Sequence, residues 1–289
     1  LKRHGFGWRT SGWPRKSRCF RRRSERANNL NLAPVRTHYK NIGMTQISDR
    51  KLESLIKKCL EGFYTRRIAK LSGLKLRDAL RKKNPYLFRA IGIQRASEIV
   101  ERLLRDYMSS SDEGIFGDAF FEPLAKAVSG GVVAPSEGVD IAIESPTRYT
   151  AIAVKSGPNI FNSSQAKRMN DEFASLRSRL MKLHKQFDPV LAHCYGRKQA
   201  EPSKSRGYRI RSGQRFWNEL TGDPDFFLKL ISLMKDHPEE HRIRYDSEWN
   251  KAVNRFERDF LIDFSTSNGE IDWEKLVRFN SGEYKGTFS

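Results

Sequence analysis

"VDIAIESPTRYTAIAVKSG", residues 139–157, holds two runs of alternating apolar residues around a Ser-Pro-Thr-Arg link. Period-two alternation is the pattern of a strand, and a short polar link between two such runs reads as a hairpin. With the turn at Ser145–Arg148, Glu144 pairs with Tyr149, and Asp140 falls opposite Ala153. Successive side chains point to opposite faces of a strand. Asp140, Ala142 and Glu144 are therefore expected on one face with Ala151, Ala153 and Lys155, and Ile141, Ile143, Ile152 and Val154 on the other. Lys155 then lies one diagonal step from Asp140. An acid and a lysine beside small alanines make an open, charged pocket on a sheet whose other face is apolar.

Those groups suit metal-dependent phosphodiester hydrolysis. A carboxylate holds a hard divalent ion, which polarises the phosphate and lowers the pKa of a bound water. A nearby ammonium orients that water or offsets charge developing in the transition state. The plain alternative is a surface strand pair with a cross-strand salt bridge, because the spacing of Asp140 and Lys155 is a weak pattern by itself.

The flanking sequence supplies more acids. Before the hairpin, "GDAFFEPLAKAV" reads as a helix over 117–128, closed by Gly130 and Gly131. Asp118 and Glu122, four apart, share one of its faces. After the hairpin, a Gly-Pro-Asn loop leads to a helix over 163–186, with Ser163 or Ser164 as its cap. Met169, Phe173, Leu176, Leu180 and Leu183 form its apolar stripe, and Gln165 and Glu172 flank Met169 on the same stripe. An acid on the core side of a helix is costly unless a metal or another partner compensates. A salt bridge to an arginine of the same helix is the competing account.

Further out, "PVLAHCYG" is a third strand over 189–196, followed by a Gly/Ser/basic loop at 197–213. Two helices come next, broken at Gly222-Asp223-Pro224, and 238–280 is charged and helical. Upstream, helical patterns start at Ser48, a plausible N-cap, and are interrupted at Asn84-Pro85. The order gives an α/β fold with a small mixed sheet flanked by helices. It divides into a helical region 44–110, a core 111–235 and a helical C-terminal region 236–289.

Of the +20 net charge, residues 1–43 supply +11, with twelve Lys or Arg and the single acid Glu25. Three readings of this aperiodic stretch compete. It is a disordered basic arm on nucleic acid, an organelle-targeting peptide, or upstream sequence read through to a natural start at Met44. The remainder, with 42 basic and 33 acidic side chains, still favours a polyanionic partner. Cys19, Cys59 and Cys194 lie far apart, which excludes a zinc ribbon or disulfide framework and suits a reducing compartment. No apolar run approaches the roughly 18 residues of a membrane span, so no membrane partner is expected.

Five blocks carry a resemblance: "KKNPYLFRA" (82–90), "SSSDEGIFGDAFFEPLA" (109–125), "VKSGPNIFNSSQAKRM" (154–169), "CYG" (194–196) and "GQRFWNELTGDPDFF" (213–227). In this order they resemble the PmeII-type family of type II restriction endonucleases, within the PD-(D/E)xK nuclease superfamily. The resemblance covers about 44–235. It implies a restriction-endonuclease-like core, Mg²⁺-dependent cleavage of double-stranded DNA at a short site, a homodimer, a companion DNA methyltransferase and a cytoplasmic location. It makes Asp140 a metal ligand and Lys155 the residue that assists the attacking water. Val139 replaces the motif proline, and Ala153 replaces the middle acid. Some nucleases of the superfamily move that acid to the following helix, which makes Glu172 the first candidate, with Glu122 second and Asp171 third. Ser164, Gln165, Arg168, Arg197, Lys198, Lys204, Arg206, Arg209, Arg211 and Gln214 are the candidate DNA contacts. Two alternatives stay open: a DNA-binding protein on the same fold that has lost catalysis through Ala153, and a helical DNA binder using 48–107.

Overall fold

A computed structural model of the protein describes residues 47–282, apart from 134–137, 159–162 and 182–183. The expectations for 1–43 and Met44 fall outside these residues. All described residues belong to one compact unit, Asn41–Ser289. The hairpin takes the register read from its turn. Strand β2 (Ile141–Glu144) pairs antiparallel with β3 (Arg148–Lys155), Glu144 opposite Tyr149 and Ile141 opposite Ile152. The Ser145 side chain accepts from the Arg148 N–H at 2.9 Å and closes the turn.

The sheet has five strands in the order β1-β2-β3-β4-β5. β1 (Val132–Val133) pairs antiparallel with β2, while β4 (Gln186–His193) and β5 (Arg209–Ser212) continue from β3 in parallel. The mixed sheet was expected, but β5 was not, since its residues were assigned to the loop at 197–213. That assignment is corrected: Arg209 and Arg211 are ladder residues, and Ala200 bridges back to Ile210 ahead of the strand.

Both faces of the sheet are covered. On one, Ile141, Ile152, Val154, Val190, Ala192 and Cys194 pack against α1 (Asp49–Gly73), α5 (Glu122–Ser129), α7 (Gln214–Thr221) and α8 (Phe226–Met234). On the other, Ala142, Ala151, Ala153, Leu191 and Ile210 meet Met169, Phe173 and Leu176 of α6 (Ser163–Leu180). The open charged face expected around Ala153 is therefore replaced by a helix-covered one, and Ala153 is fully buried. Small side chains on these strands are what let α6 approach the sheet.

A third cluster unites the chain's two helical ends. Leu76, Leu80, Phe88, Ile99, Leu103 and Leu104, from α2 (Leu76–Leu80), α3 (Pro85–Ala90) and α4 (Ala96–Phe116), pack with Phe256, Phe260 and Phe264 of α9 (His237–Phe264) and Leu276 of α10 (Trp273–Ser281). The Asn84-Pro85 break becomes a helix start. Asn84 Oδ1 accepts from the Leu87 N–H, and Pro85 fills the first turn, where its missing N–H costs nothing.

Candidate active site

Asp140 sits one residue before β2, after a turn at Gly138 with φ +77°. Its own N–H donates to the Ile152 carbonyl at 2.9 Å, and its Oδ2 accepts from the Val154 N–H at 2.7 Å. The expected pairing with β3 is present, but strict alternation is not. Val139 and Ala142, three apart, both enter the α6-side core, so the regular pleat begins only at Ile141. The expectation that Asp140, Ala142 and Glu144 share a face is corrected accordingly. Glu144 is ion-paired with Lys185 near the turn.

Burial pushes the Asp140 carboxyl above its ordinary pKa, against the pull of the Val154 hydrogen bond and the Lys155 charge. The negative charge of Glu122 adds to the push, and Lys126 opposes it. Cys194 is raised far above its usual value, by burial first and then by the Asp140 charge. Asp140 is thus an acid held in place by backbone, with a lysine and a second acid in electrostatic reach.

Glu122 arrives through a break in helical geometry. Residues 117–128 were expected as a separate helix, but α4 runs without interruption into a π-helical turn, Gly117–Phe121, and then into α5. In a straight α-helix, nine residues rotate through about 900°, which places Glu113 and Glu122 on opposite faces. A π turn absorbs one extra residue and brings that separation down to about 80°. Glu113, Asp118 and Glu122 consequently line the same cleft of about 370 Å³, together with Lys155, Arg168 and Glu172. Glu122 is paired with Lys126 at 2.6 Å. Sequence reasoning passed over Glu113. Its signal was its place in the block 109–125 that carries the family resemblance.

From the other side, α6 delivers Glu172. Its Oε1 accepts from Arg168 Nε at 2.8 Å, and its carboxylate lies where a Cβ on Gly138 would overlap it. Glycine at 138 serves two needs, the left-handed backbone and this close approach. Glu172 does face the cleft, as expected, and the same-helix arginine proposed as its alternative partner is present. Gln165 lines the cleft but is exposed, so the buried stripe begins at Met169 rather than at Gln165. Ser164 lies at the exposed start of α6, and Asp171 is exposed as well.

His193 stands opposite Lys155 in the β3–β4 register and is buried, with Nδ1 at 2.9 Å from Ser212 Oγ. Burial, helped by the Lys198 charge, pulls its pKa down to about 4. The imidazole is therefore neutral beside the lysine at neutral pH.

Among the described residues, no group of three or more His, Cys, Asp or Glu side chains could hold a metal ion. Mg²⁺ needs fewer, since it is normally held by one or two carboxylates with waters and substrate phosphate. Asp140 and Glu122 meet that requirement chemically. Both offer hard oxygen ligands, and the raised Asp140 carboxyl is the condition that a bound cation relieves. The Ala153 side chain contributes no oxygen.

The candidate DNA contacts divide. Arg197, Lys198 and Lys204 are exposed on the segment between β4 and β5. Arg206 is half-buried, donating to the Glu201 and Tyr208 carbonyls, and Gln214 Nε2 donates to the Pro224 carbonyl. Arg209 and Arg211 are corrected from phosphate contacts to internal ion pairs. Arg209 holds Asp188 and Glu219, Arg211 holds Glu219 and Glu201, and their side chains are 12% and 5% exposed. Burial alone would raise the Glu219 carboxyl, but the two guanidiniums override it and hold it below its ordinary pKa.

A small mixed sheet flanked by helices, with Asp140 just before β2 and Lys155 at the end of β3, is that of a restriction-endonuclease-like fold. Residues 50–242 match the family model for type II restriction endonuclease EcoO109I. The chain belongs to that family of type II restriction endonucleases, and membership implies a nuclease hydrolase with DNA as substrate. The match supports the restriction-endonuclease class without singling out the PmeII type. No curated protein matches the chain significantly. Among the described residues, no helix is long and apolar enough to cross a membrane.

Proposed function

We propose that this chain is an Mg²⁺-dependent endonuclease that hydrolyses phosphodiester bonds in double-stranded DNA at a short specific site, close in type to the PmeII enzymes. Asp140 and Glu122 hold the metal, and Glu172 is the next candidate. When bound, Mg²⁺ supplies Lewis-acid polarisation of the phosphate and lowers the pKa of a coordinated water. Asp140 is fixed for this role by the Val154 N–H, so little reorganisation accompanies binding. Lys155 orients the attacking water and offsets the charge that develops on the phosphate. Arg168, Arg197, Lys198 and Lys204 present cations to the DNA backbone, while Ser164, Gln165 and Gln214 are polar groups suited to base edges. The enzyme acts as a homodimer in the cytoplasm, beside a companion DNA methyltransferase.

The observation that carries this reading is geometric: the Val154 N–H holds Asp140 one residue before Lys155, and Lys155 and Glu122 line one cleft. Incubation of plasmid DNA with the protein in Mg²⁺, and in excess EDTA, tests it. Discrete fragments in Mg²⁺ alone support the proposal, and equal cutting in EDTA ends it. The second reading, a DNA binder without catalysis, is favoured by Ala153 and by the ion pairs on Glu122 and Glu172. It predicts sequence-specific binding with no fragments in either buffer.

A further inference from the structure

The last turn of α4 carries an acid that gathers both strand ends beside Lys155. Glu113 Oε1 accepts from Ser156 Oγ at 2.6 Å and from Tyr195 Oη at 2.9 Å. Ser156 directly follows Lys155, and Tyr195 comes two residues after His193, the register partner of Lys155. The two segments go on pairing past the ladder. The Cys194 N–H donates to the Lys155 carbonyl at 3.0 Å, and the Tyr195 N–H donates to the Ser156 carbonyl at 3.2 Å. One carboxylate oxygen therefore joins three segments where the sheet's own hydrogen bonds run out.

The surroundings are shaped to this contact. Ser156 is buried, and it lines the cleft together with its neighbour Lys155. A Cβ on Gly157 would overlap the Tyr195 ring, and one on Gly117 would lie 3.2 Å from Ser156 Cβ. A side chain at Gly157 would require the Tyr195 ring to move off its place, and one at Gly117 would crowd Ser156. Hydrogen bonds to an ionised acceptor are about twice as strong as neutral ones. Two on one oxygen make a strong local tie.

We propose that Glu113 is a positioning residue for Lys155, clamping the ends of β3 and β4 to α4 and so fixing the backbone from which the lysine projects. This rests on the nuclease reading of the cleft. The role differs from metal ligation in what it asks of the side chain. An acceptor oxygen suffices for a clamp, whereas a ligand or a base must be a carboxylate. Glutamine keeps the acceptor, and alanine does not.

Two measurements on the full chain test the clamp. One is single-turnover cleavage in Mg²⁺ alongside DNA affinity in Ca²⁺. The other, read on metal-free protein, is hydrogen exchange at the Cys194 and Tyr195 amides. Glu113→Ala, which removes both hydrogen bonds, should speed exchange at both amides by about tenfold or more, since even one charge-assisted hydrogen bond is worth about that factor. It should slow cleavage about 100-fold, the effect of roughly 1 Å of misplacement at a reacting group. DNA affinity in Ca²⁺ should stay within about twofold, because the clamp touches no DNA-facing cation. Glu113→Gln should recover most of the loss, to within about fivefold of wild type on both readouts. Ser156→Ala and Tyr195→Phe, which each remove one donor, should fall between.

Wild-type exchange and cleavage in Glu113→Ala would overturn the proposal. So would a Glu113→Gln chain as inactive as Glu113→Ala, because the charge itself would then be essential. If Glu113→Ala does not fold, Ser156→Ala and Tyr195→Phe decide, and wild-type exchange and cleavage in both overturn the clamp. A wild-type chain that leaves duplex DNA intact refutes the nuclease reading, and the exchange rates still decide the clamp.

Discussion

The Val154 N–H donates to Asp140 Oδ2 at 2.7 Å, so the candidate metal-binding acid is held by the backbone of the neighbouring strand, one residue before Lys155. The raised pKa of this carboxyl records what its burial costs, and under the proposed function a bound cation would relieve that cost.

That cost is measurable. A carboxyl whose pKa is raised on folding binds more protons folded than unfolded between the two values. Stability therefore falls as pH climbs through that window, and the penalty persists in full above it. Asp140→Asn keeps an acceptor for the Val154 N–H and removes the charge. In metal-free buffer at pH 7 it should melt higher than wild type, by about 2–4 °C for each kcal/mol relieved. Mg²⁺ should raise the melting temperature of wild type and leave Asp140→Asn unmoved. Calorimetry at pH 7 with and without metal checks both expectations.

The choice between the two further acids is equally open to measurement. Glu122 bears on the charge state of Asp140, while Glu172 is seated over Gly138 with Arg168 on its outer oxygen. Glu122→Gln should lose cleavage by about 100-fold or more and shift half-saturation to higher Mg²⁺, as expected when one of two carboxylate ligands is removed. Glu172→Gln should keep its Mg²⁺ half-saturation. A titration of single-turnover rate against Mg²⁺ for both variants decides, and the reverse pattern would assign the metal to Glu172.

Much of this site was legible in residues 139–157. The turn fixed the register, which runs from Glu144 opposite Tyr149 to Ile141 opposite Ile152, and Asp140 follows just before it with its N–H on the Ile152 carbonyl. The break in alternation at Asp140 was not legible, because it comes from the left-handed Gly138 and the packing of Val139 under α6. The π turn was also hidden. Ser109–Ser111 and Gly114 are poor helix formers, yet α4 runs through them to Phe116, whose ring stacks on Phe120. β5 was missed because alternate arginines look like a basic loop. Their two-residue spacing was a strand signal, but it makes sense only once Asp188 and Glu219 neutralise them.

The arginines divide into two experimental classes. Arg211→Ala strips one of three arginine partners from half-buried Glu219 and should destabilise the fold by about 1–3 kcal/mol in urea unfolding, with little change in the salt dependence of DNA binding. Lys198→Ala should leave unfolding unchanged and reduce the slope of log affinity against log salt by about 1, the loss of a single phosphate contact. Equal salt slopes for the two variants would remove Lys198 from the DNA interface.

The central claim is that Asp140 and Lys155 form one metal-dependent hydrolytic site. Single-turnover cleavage of duplex DNA by wild type, Asp140→Asn and Lys155→Ala, in Mg²⁺ and in EDTA, tests it most directly, with specific binding followed in Ca²⁺. The account predicts cutting by wild type in Mg²⁺ alone, and losses of about 1000-fold or more in each variant, on the scale of removing a principal catalytic electrostatic group. Both variants should still bind the site in Ca²⁺. Cleavage by Asp140→Asn at the wild-type rate, or by wild type in EDTA, would contradict it.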